Sequence, residues 1–260
     1  MGILNVTPDS FSEGGLFGTT ETAFAHALKM ADDGADIIDI GGESSRPGAE
    51  PVSEQQELGR VMPVIELLAG KVEVPLSIDT SKAGVAREAL RAGVSIVNDI
   101  SALRFDPAMA ETVRETGAHV VLMHMQGMPR TMQRNPSYRD VVEEILTFLR
   151  ERRDFAESQG IPREKIIVDP GIGFGKTLEH NLTILKQVSR FHELGCLVLV
   201  GASRKSMIGF ITGMPAASRQ FGTAAVVAHC VMEGVQIHRV HDVREMRQVC
   251  DMSAAIRDTA

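Results

Sequence analysis

Residues 119–124, HVVLMH, open the stretch that decides the fold, and 141–160, VVEEILTFLRERRDFAESQG, and 165–169, KIIVD, complete it. The first and third segments are apolar runs without alternation, which is typical of parallel strands covered on both faces. Four apolar side chains of the middle segment fall on one helical stripe: Val141, Ile145, Phe148 and Leu149. Gly160 ends that segment as a helix stop. The stretch therefore predicts a strand, a helix and a second parallel strand.

The same strand–helix unit recurs along the chain. Six further strand candidates are GILN (2–5), DIIDI (36–40), PLSID (75–79), SIVND (95–99), CLVLVG (196–201) and VQIHRV (235–240). Eight such units predict an α/β fold, a single (β/α)8 TIM barrel formed by one domain over residues 1–260. An open doubly wound sheet is the alternative, but no GxGxxG motif follows the first strand and eight strands are many for it.

Composition and charge argue against several classes of protein. No apolar run approaches the roughly 18 residues of a membrane span, and no signal peptide precedes the first strand. The formal charge of −7 argues against a nucleic-acid partner, so an anionic ligand would need a local basic cluster. The cysteines are scattered without metal-ligand spacing: Cys196, Cys230 and Cys250. Such a sparse set predicts reduced thiols and a cytoplasmic protein.

Polar residues stand at the carboxyl end of nearly every predicted strand. In a barrel these ends form the face that carries the active site, whereas the opposite face serves stability. In chain order the ends are Asn5; Gly41, Gly42 and Glu43; Asp79; Asn98 and Asp99; Met123 and His124; Asp169; GASRKS (201–206); and Arg239 with His241. An inert face would not need this pattern, so we expect a functional site there.

The carboxylates and amides at these ends suit a flat heterocyclic ligand. A carboxylate accepts two parallel N–H bonds and an amide both donates and accepts, so Asp79, Asn98 and Asp169 would match an amino-oxo edge of guanine or pterin type. Lys205 would lie near them by topology. The alternative is that each residue caps the following helix, and Asp79 before TSKAGV is a plausible N-cap.

A basic cluster is predicted at the last two strands, where barrels often bind phosphate. Lys205, Arg239 and His241 would converge there, joined by Arg46 from the loop after the second strand. Ser206 would add its hydroxyl and the N–H groups of a helix start, which suit a carboxylate or phosphate. Solvated surface charge is the alternative for any one of these cations.

The sequence gives weaker evidence for a metal site than for the heterocycle and phosphate sites. No pair of histidines or cysteines has zinc spacing, but Mg²⁺ needs only one or two protein oxygens when a phosphate supplies the rest. Asn5, Asp9 and Glu13 could provide them. His124 fits a core position as well as a functional one, and Met123 could rest on a ring face.

Eight motifs resemble, in order, those of the bacterial dihydropteroate synthase family: GILNVTPDSFSEGG, DIGGESSRPGAEPV, SIDTSK, NDIS, LMHMQGMP, DPGIGFGK, GASRKSMIG and RVHDV. The resemblance covers almost the whole chain. It implies a homodimeric TIM barrel that joins (7,8-dihydropterin-6-yl)methyl diphosphate to 4-aminobenzoate in folate biosynthesis. It also implies Mg²⁺, an SN1-like displacement of diphosphate, and sulfonamides as inhibitors.

The resemblance assigns residues to each ligand. For the pterin it implies Asp79, Asn98, Met123, Asp169, Lys205 and Arg239. For the diphosphate it implies Asn5, Ser45, Arg46, Arg239 and His241, with Asn5 also holding Mg²⁺. For 4-aminobenzoate it implies Phe11, Ser45, Pro47, Phe174, Lys205 and Ser206. The residues implied in catalysis are Asn5, Arg46, Asp79, Lys205, Arg239 and His241.

Two residues depart from the usual family pattern. Ser45 replaces a threonine and Glu13 replaces an aspartate, and both keep the functional group. They lie on loops that the resemblance implies close over the substrates. A corrinoid-dependent pterin methyltransferase and a non-catalytic pterin-binding protein are the alternatives. The first has no use for the anion-binding motifs, and the second would have lost them.

Overall fold

The computed structural model describes residues 1–7, 15–44 and 48–259. Within these ranges eight short parallel strands carry the fold: β1 (Gly2–Asn5), β2 (Ile38–Gly41), β3 (Leu76–Asp79), β4 (Ile96–Asp99), β5 (His119–Met123), β6 (Ile166–Asp169), β7 (Leu197–Val200) and β8 (Ile237–His238). Each strand overlaps one of the eight predicted from the sequence. Those predictions are therefore confirmed.

The α-helices of the described chain alternate with the strands: α1 (Gly15–Asp32), α2 (Glu54–Leu68), α3 (Ala83–Arg91), α4 (Met109–Thr116), α5 (Val141–Ser158), α6 (Leu178–Lys186), α7 (Ser206–Thr212), α8 (Gln220–Met232) and α9 (Val243–Arg257). α5 begins where the Asp140 carboxylate accepts from two backbone N–H groups. It ends just before Gly160, whose φ is 87°. None of the helices in the described ranges is long and apolar enough to cross a membrane.

The strands follow one another in the sheet in chain order, β1 to β8. This order excludes the doubly wound alternative, in which the strand order reverses at a switch point. The sheet is curled, and its first and last segments meet: Ile3 N–H donates to Val240 O at 3.0 Å, and Val240 N–H donates to Met1 O at 2.9 Å. Among the described residues β8 and β1 do not pair as strands, but an isolated parallel bridge joins Gly2 to Val240.

Both faces of the sheet are covered, which explains the uninterrupted apolar strands. On β5, Val120 and Leu122 pack in the core that includes the helices, whereas Val121 belongs to a separate cluster on the inner face of the curl. The buried members of the inner cluster are Met1, Ile96, Val121, Ile167 and Leu199. The inner face is therefore apolar toward the amino ends of the strands.

Candidate active site

A polar layer follows the inner apolar cluster toward the carboxyl ends of the strands. Side chains two residues apart on a strand share a face. Ile37, Ile96 and Ile167 contribute to the inner cluster, so the inner face continues with the residues two positions later: Asp39, Asn98 and Asp169. All three are buried. Polar groups in such a place need partners, and the partners define the site.

Arg239 joins two of the strands by paired hydrogen bonds. Its Nε donates to Asp39 Oδ2 at 2.6 Å, and its Nη2 donates to Asp79 Oδ2 at 2.8 Å. Asp39 is fully buried and Asp79 is 13% exposed, so the guanidinium is held by two poorly hydrated carboxylates. Such charge-assisted pairs are short and directional. Two of the residues that the resemblance assigns to the pterin, Asp79 and Arg239, are therefore in contact.

Asp39 is a site residue that the sequence reasoning missed. It lies inside the predicted strand DIIDI, where only the terminal positions were considered. The Asn98 amide Nδ2 donates to Asp39 Oδ2 at 2.9 Å, which joins Asn98 to the Arg239 pair. The sequence did contain a signal for it. Side chains two residues apart on a strand lie on the same face, and Asp39 comes two residues after Ile37, which packs on the inner face.

The capping alternative for Asp79 is wrong. Helix α3 begins at Ala83 after Lys82, whose side chain makes no capping hydrogen bond, and the Ala83 N–H donates to Asp106 Oδ2 at 2.8 Å rather than to Asp79. Asp79 instead contacts Arg239, and burial raises the pKa of its carboxyl from 3.8 to about 7, with Arg239 opposing the rise. This carboxylate is therefore part of the inner polar layer.

Asp169 is positioned by a tight turn directly after β6. Its Oδ1 accepts from Gly171 N–H at 2.7 Å, and burial raises the pKa of its carboxyl. Gly171 has a φ of 70°, and a Cβ on it would lie 2.0 Å from the carbonyl oxygen of His124. Only glycine fits there. The turn thus leaves one carboxylate oxygen of Asp169 to be used elsewhere.

Lys205 reaches across the site from the loop after β7. Its ammonium donates to the carbonyl of Ile172 and lies 4.3 Å from the centre of the Phe174 ring, a cation–π distance. Burial lowers the pKa of Lys205 from 10.5 to about 8, and the nearby Asp169 carboxylate opposes this fall. Lys205, Phe174 and Asp169 are thereby brought together as predicted.

Lys176 is a second residue that the sequence reasoning missed. It is 3% exposed, and its Nζ lies 3.0 Å from His124 Nδ1 and donates to the carbonyl of Phe174 at 3.0 Å. Burial lowers the pKa of Lys176 and, together with that cation, lowers the pKa of His124 to about 2. His124 is therefore a neutral acceptor that ties β5 to the loop carrying Phe174. No spacing rule pointed to this pair.

Met123 lies in a small apolar cluster beside the polar layer. Met123, Met125 and Met132 are its buried members, and Phe105 and Phe174 pack against them. Thioether side chains adapt to a flat ring and contact aromatic edges favourably. The cluster can therefore supply an apolar wall for a planar ligand.

His241 and Ser206 lie at the same end of the sheet as this layer. His241 Nδ1 is 3.0 Å from Ser203 Oγ, which also accepts from the His241 backbone N–H at 3.1 Å. Ser206 is exposed at the first residue of α7. No described side-chain hydrogen bond joins His241 or Ser206 to Asp39, Asp79 or Arg239.

Comparisons with known proteins agree with this geometry. Residues 1–241 match the family described as pterin binding enzyme. The dihydropteroate synthase of Escherichia coli strain K12 is 49% identical over 245 residues, which are 94% of this chain and 86% of that protein. The chain belongs to the dihydropteroate synthase family of pterin-binding enzymes.

Two solved members of the dihydropteroate synthase family show the same fold. The Yersinia pestis enzyme in complex with a sulfonamide drug is 46% identical with a TM-score of 0.93, covering 99% of this chain and 93% of that one. The Xanthomonas albilineans enzyme with 4-aminobenzoic acid is 44% identical with a TM-score of 0.94, covering 100% of this chain and 93% of that one. The family resemblance noted in the motifs is thereby confirmed.

Some residues that the family pattern implies cannot be placed. Phe11, Ser45, Arg46 and Pro47 lie outside the described residues, as do Asp9 and Glu13. The described edge of the second loop is anchored, because Lys82 Nζ donates to both Glu43 and the fully buried Glu57. Glu43, which follows β2, is therefore tied through Lys82 to helix α2.

An amide oxygen and a carboxylate oxygen lie near the space beside Gly41. A Cβ built on Gly41 would lie 3.8 Å from both Asn5 Oδ1 and Asp79 Oδ2. An amide oxygen and a carboxylate oxygen that share the space left by a glycine suit Mg²⁺. The described residues contain no group of three or more His, Cys, Asp or Glu side chains that could hold a metal.

A separate cavity lies at the other end of the sheet. It has a volume of about 380 Å³ and is lined by residues at the amino ends of strands, among them Ile37, Ile96, His119 and Ile167. None of the predicted site residues lines it. The polar layer, rather than this cavity, is the candidate active site.

Proposed function

We propose that the protein is a dihydropteroate synthase. It would condense (7,8-dihydropterin-6-yl)methyl diphosphate with 4-aminobenzoate, giving 7,8-dihydropteroate and diphosphate. The observation that carries the proposal is the buried layer in which Asn98 and Arg239 share Asp39 Oδ2, beside Asp79, Asp169 and Lys205. A layer of this kind has both acceptors and donors for an amino-oxo heterocycle.

Each group of the pterin pocket has a role in this proposal. Asp169 would accept from the 2-amino and N3 edge, and Lys205 would donate to the 4-oxo group. Asp79 and Asn98 would take the other ring N–H groups. Arg239 would lie across the ring opposite the apolar wall that contains Met123. The burial of Asp169 and Asn98 supports these assignments, because buried polar groups require partners.

The diphosphate is assigned to the cations and amide at the edge of the site. Arg239, His241 and Asn5 would contact it, together with Ser45 and Arg46. When bound, Mg²⁺ would neutralise part of the charge that grows on this leaving group. Asn5, with Asp79 nearby, supplies donors of the kind that Mg²⁺ prefers. The cations of the chain stabilise the same charge directly.

The reaction in this proposal is SN1-like and needs no strong base. The bond between the methylene carbon and the diphosphate oxygen breaks, and the pterin ring shares the positive charge. The neutral aryl amine then forms the new C–N bond and afterwards loses one proton. Lys205 and Phe174 would hold the aminobenzoate beside Ser206, together with Phe11, Ser45 and Pro47. Positioning and electrostatics therefore provide most of the rate enhancement.

We also propose that the curled sheet is a closed TIM barrel and that residues 1–260 form one domain. The main-chain hydrogen bonds between Met1 or Ile3 and Val240 support closure, because they run where β8 would pair with β1. The family match over residues 1–241 supports a single unit. Limited proteolysis that released two stable fragments would contradict the single domain.

A turnover assay, run with and without a sulfonamide, tests the proposed function. Purified protein with the pterin diphosphate, 4-aminobenzoate and Mg²⁺ should release diphosphate, and omission of either substrate or of Mg²⁺ should abolish release. A sulfonamide should raise the apparent KM for 4-aminobenzoate without lowering kcat, because it would share that pocket. Pterin binding without turnover would instead indicate a non-catalytic binding protein, and activity unaffected by excess sulfonamide would remove the inhibitor assignment.

Pterin affinity should fall as pH rises through about 8. Burial lowers the pKa of Lys205 from 10.5 to about 8, so its amine is protonated below this pH and loses the donor charge above it. Binding that uses the ammonium is therefore complete below pH 8 and is lost above it. Calorimetry with 6-hydroxymethylpterin between pH 6.5 and 9.5 measures the pH dependence of the affinity. The Lys205→Met variant shows how much of that dependence comes from titration of the pterin itself. Identical profiles in both proteins would contradict the role of Lys205.

A homodimer is proposed from the apolar surface of α7, α8 and α9. These helices expose Phe210, Ile211, Phe221, Met252 and Ile256, and Phe221 is 87% exposed. Contiguous exposed apolar side chains on a monomer mark an interaction site. Sedimentation of the wild-type protein against Phe221→Asp tests this, since the charge should dissociate a dimer formed by this face.

We place the protein in the cytoplasm. Cys196 and Cys230 are free and buried, and Cys250 is free and half-buried, which fits a reducing compartment. Recovery of the protein in a periplasmic or membrane fraction would contradict this placement.

A further inference from the structure

Asp39 has an unusual set of contacts for a carboxylate. It is fully buried on β2, and one of its oxygens, Oδ2, takes two donors that come from different parts of the sheet. Asn98 Nδ2 on β4 lies at 2.9 Å, and Arg239 Nε beyond β8 lies at 2.6 Å. The other oxygen, Oδ1, is buried without a hydrogen-bond partner in the described chain. Because Asp39 Oδ2 accepts from both side chains, it fixes the positions of Asn98 Nδ2 and Arg239 Nε relative to each other.

The contact also selects the orientation of the Asn98 side chain. An ionised carboxylate can only accept hydrogen bonds, so the Asn98 amide must direct its NH₂ group to Asp39. This leaves the Asn98 carbonyl oxygen as the atom that can face a ligand. Without Asp39, the amide could rotate by 180° and present a donor instead. Asn98 would then repel the N–H groups that it is proposed to bind.

Arg239 is constrained by the same carboxylate. Its guanidinium is planar, and hydrogen bonds from Nε to Asp39 and from Nη2 to Asp79 fix both its position and its plane. A single partner would leave the plane free to turn about that contact. A cation that must lie across a ring and touch a leaving group depends on this orientation.

We propose that Asp39 is a positioning residue for the pterin pocket, which acts through Asn98 and Arg239 by the shared oxygen Oδ2. The inference rests on the proposed function, since it concerns recognition of the pterin. It differs from the roles of Asp79 and Asp169, which would contact the ligand themselves. The shared oxygen, rather than the net charge, is what the role requires.

Substitutions at Asp39 separate these two properties. Asp39→Asn keeps one carbonyl oxygen that can take both donors, whereas Asp39→Leu removes the acceptor and keeps the branching at Cγ in a larger side chain. Asp36→Asn and Asp36→Leu are matched controls, because Asp36 is 79% exposed next to the same strand and pairs with Arg247. Two readouts apply to all variants: calorimetric affinity for 6-hydroxymethylpterin, and the KM for each substrate in turnover. Thermal unfolding confirms that each variant is folded.

We expect Asp39→Leu to weaken pterin affinity roughly 100-fold, as for loss of hydrogen bonds to a charged group, while the KM for 4-aminobenzoate at saturating pterin diphosphate changes less than about threefold. Asp39→Asn should recover most of the pterin affinity, to within about tenfold of the wild type. If Asp39→Leu does not fold, Asp39→Ala removes the shared acceptor without crowding and serves as the same arm.

Three results would overturn the inference. Wild-type pterin affinity in folded Asp39→Leu or Asp39→Ala would mean that Asn98 and Arg239 need no positioning. An equal loss in Asp39→Asn would assign the effect to charge. An equal rise in both KM values would indicate a general structural role. Failure of the proposed function looks different, because the wild-type protein would then neither bind the pterin nor turn over the substrates.

Discussion

Replacing Arg239 by methionine should lower the free energy of unfolding by about 3 kcal/mol near pH 8, the lower part of the range for a broken buried ion pair. Asp39 is fully buried and Asp79 nearly so, and both lose their cation in this variant. Arg239 itself is 21% exposed, which reduces the loss somewhat. Urea unfolding of the wild type and the variant measures the difference.

The loss should shrink as the pH falls. Burial raises the pKa of Asp79 from 3.8 to about 7 while Arg239 opposes the rise, so without Arg239 this pKa is higher still. A carboxyl whose pKa is raised by folding loses stability progressively between its unfolded and its folded pKa. The wild type and the variant therefore differ in this cost only above about pH 7, where the wild-type carboxyl has ionised and that of the variant has not. The difference in unfolding free energy should therefore be larger at pH 8.5 than at pH 5.5.

Arg247→Met is the matched control for Arg239. Arg247 pairs with Asp36 at 3.0 Å and with Asp251 at 2.9 Å, and it is 43% exposed. Exposed pairs contribute at most about 1 kcal/mol, so we expect a small loss without the same pH dependence. Combining Asp79→Asn with Arg239→Met should recover part of the stability. Equal losses at Arg247 and Arg239 would show that the inner pairs are no more important than surface ones.

Asp169→Asn should weaken pterin binding about 10-fold to 100-fold while the protein stays folded. The asparagine can keep its carbonyl oxygen on Gly171 N–H, where Asp169 Oδ1 now accepts at 2.7 Å. Its NH₂ group then takes the place of the second carboxylate oxygen. Hydrogen-bond donors of the asparagine would face the N–H donors of the pterin edge, and neither would have an acceptor. Calorimetry with 6-hydroxymethylpterin measures the loss.

Asp99→Asn provides the opposite control. Asp99 is fully buried and accepts from Ser101 N–H at 2.8 Å and Leu103 N–H at 2.7 Å, which holds a turn in which Leu103 has a φ of 62°. An amide can keep only one of these bonds, so stability should fall while the pterin affinity of the folded protein is retained. Normal pterin affinity in Asp169→Asn would mean that the pocket lies elsewhere.

The sequence predicted the strands and most of the site because both follow from local patterns. Apolar runs mark buried strands, and the polar residue at the end of each run marks its carboxyl end, which is how Asp79, Asn98 and Asp169 were found, whereas Lys205 was inferred from the loop after the seventh strand. Asp39 was missed because it lies inside its predicted strand rather than at the end of it. Its role depends on Arg239, which is 200 residues away in the chain. Pairings of that kind follow from the curl and the register of the sheet.

Lys176 and the capping alternative for Asp79 show the same limit. A lysine in a glycine-rich loop is normally solvated, and only the approach of His124 to that loop makes Lys176 a buried donor. An aspartate before a helix is equally compatible with a cap and with a salt bridge, and the position of Arg239 decides between them. Local sequence carries no information about these distances.

The two carboxylate contacts of Arg239 also bear on the order in which the molecule folds. They join residues 200 and 160 positions apart, and Arg239 follows the last strand of the sheet. Contacts with such large sequence separation form late, because the entropy lost in closing the long intervening loop is offset only when most of the chain is already folded. During synthesis the inner carboxylates of β2 and β3 stay without their cation until the final strand has left the ribosome. The inner polar layer is thus completed last, by the segment that follows the final strand.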